Sequence, residues 1–437
     1  MDRRLLYRVL MTLSASIIAL LPETVLASAF QLFEQDGASV GEYHAGYAAA
    51  ANDASTAFYN PAGIIRFKAQ QLVLSADSVT TDFKYQGSVA VNTISAGEPK
   101  PATAQGGNFN LIPAMHYVAP LSDGIGFGLS VDVPFGLKTT YGRTTPIQYA
   151  ATTAAITVVD ISPALGFRLF DRTSFGIGLD FQRSAAQFNQ PGGLGDPPET
   201  ADSQNSFTGT GYGGHAGLLY EFSPVSRVGL SYHSQVVQHL TGASWFTGSL
   251  ADAFNDGPFS SHAYTNVTMP AYTAFSGYHE ISDRWTFLGS AIFTQWSVSK
   301  ELILHNISGI ANLDPSSNIT ITIPEYYRNT WNLSVGSHYK LTDEMFLRCG
   351  VGYDQTPVQN QYRNVTLPDN NRFVVALGGH YQSTKTIGFD IGWSHIFMNQ
   401  ANIYPPPLVA GDQQVTTIGH VNGGADILAA QVTWEMT

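Results

Sequence analysis

Thr173 to Gln187 reads TSFGIGLDFQRSAAQ, with Phe175, Ile177, Leu179 and Phe181 on one side and Ser174, Gly176, Gly178, Asp180 and Gln182 on the other. An extended chain turns successive side chains to opposite faces, so this segment is a strand with one apolar and one polar or small face. The rhythm recurs. Alternating segments span 71–81, 110–119, 124–134, 156–169, 173–187, 211–222 and 226–241, then 264–281, 285–300, 326–341, 345–355, 372–381, 386–398 and 425–436. Were the apolar faces turned to a protein core, fourteen strands would need a covering layer, and no helical segment here is long enough to supply one. Turned to hydrocarbon, they need none.

The connections agree. Pro120–Gly124, Phe170–Arg172, Ser223–Val225, Ser282–Arg284, Thr342–Glu344 and Gln382–Lys385 are tight and polar, and the stretches between them, near 82–109, 135–155, 188–210, 242–263, 301–325, 356–371 and 399–424, are long and rich in Gly, Pro, Asn and Ser. Short turns alternating with long loops give an even strand number and place both barrel ends on the short-turn side. The expected fold is all-β, a 14-stranded antiparallel transmembrane β-barrel over 70–437.

Composition supports this. Of 437 residues 44% are hydrophobic but only 12% charged, about half the usual share, and the chain holds 25 Phe, 21 Tyr and 42 Gly. Arg3, Arg4 and Arg8 precede an apolar run, Val9 to Leu21, that is too short to span a bilayer and ends at Pro22. Residues 1–27 therefore read as a signal peptide, with cleavage after Ala27 or, alternatively, Ala29. Its removal takes away three Arg against Asp2 and Glu23 and moves the net charge from −12 to −13, which argues against nucleic-acid binding. Cys349 is the single cysteine, so no intramolecular disulfide forms.

Alternation also assigns the faces. Ile387, Phe389, Ile391, Trp393 and Phe397 face lipid while Gly388, Asp390, Gly392 and Ser394 face the lumen. On 124–134, Ile125, Phe127, Leu129, Val131 and Val133 face out, leaving Gly124, Gly126, Gly128, Ser130 and Asp132 inside. A row of glycine along one face of a strand means that something approaches closely there. Gly124-x-Gly-x-Gly128 alternates within a strand and precedes no helix, so it is not a phosphate loop. Pro113, Pro163 and Pro270 mark strand ends or bulges, because proline cannot donate to the ladder.

Residues 28–69 do not alternate. Tyr43 and Tyr47 stand four apart in an Ala/Gly-rich stretch that suggests short helices, and Asn60-Pro61-Ala62-Gly63 stops a helix. The segment carries too many aromatics and too little charge for ordinary disorder, so a plug inside the lumen is expected rather than a periplasmic tail.

Ser28-Ala-Phe-Gln-Leu32, Asn52-Asp-Ala-Ser-Thr56, Tyr59-Asn-Pro-Ala-Gly63 and Val133-Pro-Phe-Gly-Leu137 together resemble the FadL family, the long-chain fatty acid and aromatic hydrocarbon transporters of Gram-negative outer membranes. The resemblance spans essentially the whole mature chain. It implies an N-terminal hatch at 28–69, capture of a hydrophobic ligand among the outer loops, an apolar pocket in the barrel, and lateral release into outer-membrane lipid when the hatch and an inward kink in the third strand rearrange. Carried over by position, Phe30 and Leu32 are the ligand-contacting hatch start, and Asn60, Pro61 and Ala62 are the gating motif beside the kink. Gly126, Gly128 and Ser130 are candidates for the kink itself by strand position. The family's head-group residues lie in variable regions and are not transferred. The implied partner is a long-chain fatty acid or another hydrophobic small molecule, with no cofactor and no need of a trimer. The C-terminus departs from barrel habit, since Trp434 is followed by Glu435-Met436-Thr437 rather than by a terminal aromatic.

Three other functions compete. A general diffusion porin would lack the plug and carry clustered charges at a constriction, and an adhesin would act through its loops alone. An enzyme would need a constellation, and the twelve His show no zinc-site spacing. No catalytic or metal-binding residue is assigned.

Overall fold

The structure is a computed structural model that describes residues 29–92, 98–192 and 201–436; the expected signal peptide, residues 1–27, lies outside them. Fourteen antiparallel strands close into one wall. The first seven are β1 Gln70–Asn92, β2 Phe109–Ser122, β3 Ile125–Thr140, β4 Thr153–Phe170, β5 Thr173–Gly192, β6 Ala201–Ser223 and β7, which runs as Ser226–His233 and Val236–Gly248. Then follow β8, in two pieces Phe259–Met269 and Tyr272–Glu280, β9 Trp285–Thr294, β10 Thr330–Lys340, β11 Met345–Asp354, β12 Arg372–Gln382, β13 Ile387–Met398 and β14 Gln413–Met436. β14 returns to β1 in register from Gln70 opposite Met436 to Asn92 opposite Gln414, so the chain's two ends zip the barrel shut. Closure leaves no open edge facing lipid, where each unpaired backbone group costs several kcal/mol.

The outer face is the apolar one. Phe389, Ile391, Trp393 and Phe397 are exposed while Gly388, Asp390, Gly392 and Ser394 are buried, and Leu179 and Phe181 flank the buried Asp180. Cys349 is exposed between Leu347 and Val351 on the same face. Proline acts as expected: Pro270 falls in the break within β8, and Pro163 interrupts the β4–β5 ladder between Ile161 and Ala164.

The long connections hold more ladder than alternation reveals. β1 runs on to Asn92 and pairs with a short strand, Lys100–Gln105, and the expected loop 301–325 is a hairpin of Glu301–Ala311 against Asp314–Pro324. Beyond the membrane neither face need be apolar, so the period-two signal fades while backbone pairing continues.

The lumen is filled by the N-terminal segment. Helix α1, Gly37–Val40, is capped by Asp36, whose carboxylate accepts from the Ser39 N–H at 2.7 Å. Helix α2, Thr56–Tyr59, ends at Asn60, and a 3-10 helix, Pro61–Arg66, begins at the next residue. Pro61 therefore stops one helix and starts another, its fixed φ suiting the first helical position. The glycine-lined wall lets this stopper sit backbone to backbone. A Cβ added at Gly41 would lie 2.8 Å from Gly378 Cα on β12.

Gly378→Val should accordingly destabilise the barrel by about 1–3 kcal/mol through overpacking. Gly277→Val, whose added Cβ meets nothing within 4 Å, should leave it unchanged. Urea midpoints of the purified variants measure both, and equal midpoints would contradict the close packing.

Candidate functional site

Besides the smaller breaks at Pro163 and within β7 and β8, the wall is irregular along β3. β3 pairs with β2 from Ser122 opposite Ile125 up to Met115 opposite Val131 and no further, and Phe109–Ala114 of β2 pair with β1 alone. On its other side β3 shifts register against β4 between Asp132 and Phe135, where it holds one extra residue. Pro134, inside that bulge, brings no N–H. From Ile125 to Val131 the burial alternates, but every residue from Asp132 to Leu137 is buried. The strand thus bends into the lumen. Higher up, the Thr140 N–H donates to Gly106 O at 3.2 Å and joins the two sides again. Between these limits lies a window in the wall.

The start of the hatch occupies it from within. The Leu32 N–H donates to Pro134 O at 2.9 Å, and the Gly136 N–H donates to Phe30 O at 2.7 Å. Gln35 serves the bulge with both ends of its amide: Nε2 donates to Val133 O at 3.1 Å and Oε1 accepts the Val133 N–H at 3.2 Å. Gln35 O is itself 2.9 Å from His116 Nε2, and the other ring nitrogen lies 2.9 Å from Ser130 Oγ. Backbone groups displaced from the ladder thus find partners on the hatch, as a lipid-embedded wall demands. Leu32 packs with Val79, Ile112 and Val133 behind the window. Val133, expected to face lipid, is buried because the bulge rotates it inward.

Several expected positions need correction. Gly126, Gly128 and Ser130 stand in regular ladder on both sides, opposite Pro120, Val118 and His116 on β2, so the register break lies beyond them. Their role is clearance: an added Cβ at Gly126 would meet Ile64 at 2.6 Å, and one at Gly128 would meet Ala57 at 2.7 Å. Asn60, Pro61 and Ala62 are not beside the bulge. Asn60 Nδ2 donates to Ala48 O at 2.6 Å and to Leu218 O of β6 at 3.0 Å, while Oδ1 accepts the Ala62 N–H at 3.1 Å. Pro61 lies against Gly166 and Gly176 of β4 and β5. No sequence signal marks Gln35, a lone amide in an irregular segment whose partner is 98 residues away.

Above the window lies a cavity walled by Phe30, Leu137, Ile156, Val267, Leu302 and Tyr327 among others. Phe30 is held there edge-on to Trp296, with ring centroids 4.8 Å apart. A second space lies among the loops, under Pro405, Pro406 and Pro407, and adjoins the first along Ala154, Phe188, Ile323, Asn364 and Thr366.

Charge pairs tie the stopper to the opposite wall. Arg348 of β11 lies 2.6 Å from Asp390 and 3.7 Å from the hatch residue Glu42, which also bonds His338. Arg227 of β7 donates to Ala49 O at 2.7 Å and to Asn52 Oδ1 at 3.1 Å. Asp180, His215 and His233 also converge, a grouping that sequence spacing did not show. Their imidazoles stack 5.0 Å apart with planes 12° from parallel, so the ring lone pairs run side by side and do not meet at one ion.

A closed fourteen-strand wall with an apolar outer belt and a stopper tied inside defines an outer-membrane β-barrel. The chain belongs to the family of outer membrane protein transport proteins (OMPP1/FadL/TodX), which it matches over residues 18–436. It is 25% identical to the long-chain fatty acid transport protein of Escherichia coli K12 over 90% of this chain and 93% of that one. It is 26% identical to a 47 kDa outer membrane protein of Pasteurella multocida over 88% of this chain and 91% of that one. In structure it is similar to a Pseudomonas aeruginosa FadL homologue, with TM-score 0.82 and 25% identity over 93% of this chain and 100% of that one. The Pseudomonas putida toluene transporter TodX shares the fold at TM-score 0.70 and 17% identity, over 94% of this chain and 100% of that one.

Gln35→Leu should leave the Val133 N–H and C=O unpaired at the bulge, at about 1–3 kcal/mol for each orphaned group. Amide hydrogen exchange in the peptide spanning 129–140 should quicken. Exchange as slow as in the wild type would show that the amide does not hold the strand.

Proposed function

We propose that this protein takes up long-chain fatty acids or related hydrophobic compounds across the outer membrane and releases them sideways through the window between β2 and β3. The observation that carries this reading is the shared wall. Phe30 and Leu137 line the inner cavity, while Phe30 O holds Gly136 in the inward-bent stretch of β3. A ligand seated in the cavity therefore presses on the residues that keep the window filled.

The energetics favour this route. An alkyl chain gains about 0.8 kcal/mol per CH₂ on leaving water, so a wet axial pore would hold it back at every step. A sideways exit passes it from apolar cavity to apolar bilayer. Withdrawal of Phe30–Gln35 clears the path without breaking any β2–β3 ladder bond, but it unpairs the Val133 N–H and C=O, the Pro134 C=O and the Gly136 N–H, which must find other partners as the ligand passes. The complete route lies within one chain, so a trimer is not required.

Deleting Pro134 removes the extra residue and should let β3 pair straight alongside β2. Uptake of a radiolabelled hydrophobic substrate by cells should then fall to background, while the variant still folds into the outer membrane. Full uptake by a folded deletion variant would refute lateral release, and rapid swelling of wild-type liposomes in sugars would favour a diffusion porin.

A further inference from the structure

The inner cavity mixes apolar with polar lining and carries two acidic residues, Glu301 and Glu325, with no Lys, Arg or His among its described lining residues. The remaining polar lining is neutral, from Asn266, Thr268, Ser299, Asn364, Thr366 and Tyr327. From the geometry of this lining we infer that the cavity takes an uncharged hydrophobe whose polar end is a hydroxyl, an alcohol or a phenol, donating to Glu325, and that it disfavours carboxylate anions. The inference rests on the uptake function proposed above and narrows its substrates from fatty acids or related compounds to the uncharged ones.

The surroundings of Glu325 leave its charge unbalanced. It precedes β10, is half-buried, and bonds the Tyr327 hydroxyl at 3.3 Å. Its backbone N–H donates to Lys300 O at 2.8 Å, but Lys300 is exposed and off the lining. Glu301, across the cavity wall, accepts from the Tyr326 hydroxyl at 2.8 Å. Arg328 is turned to Thr356 O at 3.1 Å. From the 356–371 segment, Arg363 is committed to Asp369 O at 2.6 Å and Asn402 O at 3.2 Å. Asp369 pairs with Arg372 and accepts the Ala29 N–H at 3.0 Å, so both the nearby cation and the start of the described chain are already engaged. Burial pushes the Glu325 carboxyl up to about 7, with Tyr327 the one partner that lowers it. A raised carboxyl is neutral below that value and charged above it, so repulsion of an anionic ligand grows as pH rises through about 7. A fatty acid carboxyl, titrating near ~4–5 like other exposed carboxyls, stays anionic across that range.

The test is displacement of the neutral probe N-phenyl-1-naphthylamine from the full-length protein in detergent by 1-dodecanol and by dodecanoate. At pH 8.5 dodecanol should act at a concentration lower by about tenfold or more, as two like charges a few ångströms apart in a partly desolvated site require. The ratio should shrink at pH 5.5. Glu325→Gln, nearly isosteric, should abolish the pH dependence and shrink the ratio at pH 8.5, and Glu325→Lys should turn the preference towards dodecanoate. Dodecanoate binding as well as dodecanol to the wild type at pH 8.5 overturns the inference and leaves the transport reading intact. So does a Glu325→Gln ratio that still varies with pH. Failure of both ligands to displace the probe at either pH overturns the transport reading as well.

Discussion

Inside a bilayer a backbone N–H or C=O has no water to turn to, and this constraint organises the whole molecule. It requires a closed wall, so the first and last strands meet along their full length, from Gln70 opposite Met436 upward. It also means that any opening in the wall must be paired from elsewhere. The window between β2 and β3 meets that demand with Phe30, Leu32 and Gln35, which bond the bulged stretch from the lumen side. The stopper thus supplies the partners that the wall lacks at the window.

The lumen is built to let that object approach. Wall glycines such as Gly378, Gly126 and Gly128 leave clearance for hatch backbone and small side chains. Closeness gives rigidity on one side of the barrel, where Arg348 and Arg227 also hold the hatch by charge and hydrogen bonds. On the other side the contact is a short run of hydrogen bonds at a strand that already departs from the ladder. The hatch is thus held by charge and hydrogen bonds beside β7 and β11 and by hydrogen bonds alone at β3.

The cavities give this arrangement its chemistry. Two adjoining cavities lie between the proline-covered loops and Phe30, lined by apolar side chains, neutral polar groups and carboxyls. Relatives described as fatty acid transporters and a toluene transporter share the architecture, so the fold tolerates different ligands. The side chains that line these cavities, Glu325 among them, stand on segments where alternation carries no information.

Alternation of side chains is a local property, and it alone determined the strands, their number, the sidedness of the turns and the lipid face. The glycine rows announced that something fills the lumen for an equally local reason: a missing side chain is visible without knowing its neighbour. The position of the gate was different. Gly126, Gly128 and Ser130 resembled a kink on paper, yet the break falls at Val133–Pro134, because a bulge depends on the count of residues in the partner strand. Asn60 looked like a gate residue but is bound to β6, and Gln35 looked like nothing and holds β3. Those assignments belong to the tertiary structure, since hydrogen bonds across 98 or 158 residues exist only once the barrel has closed around the hatch.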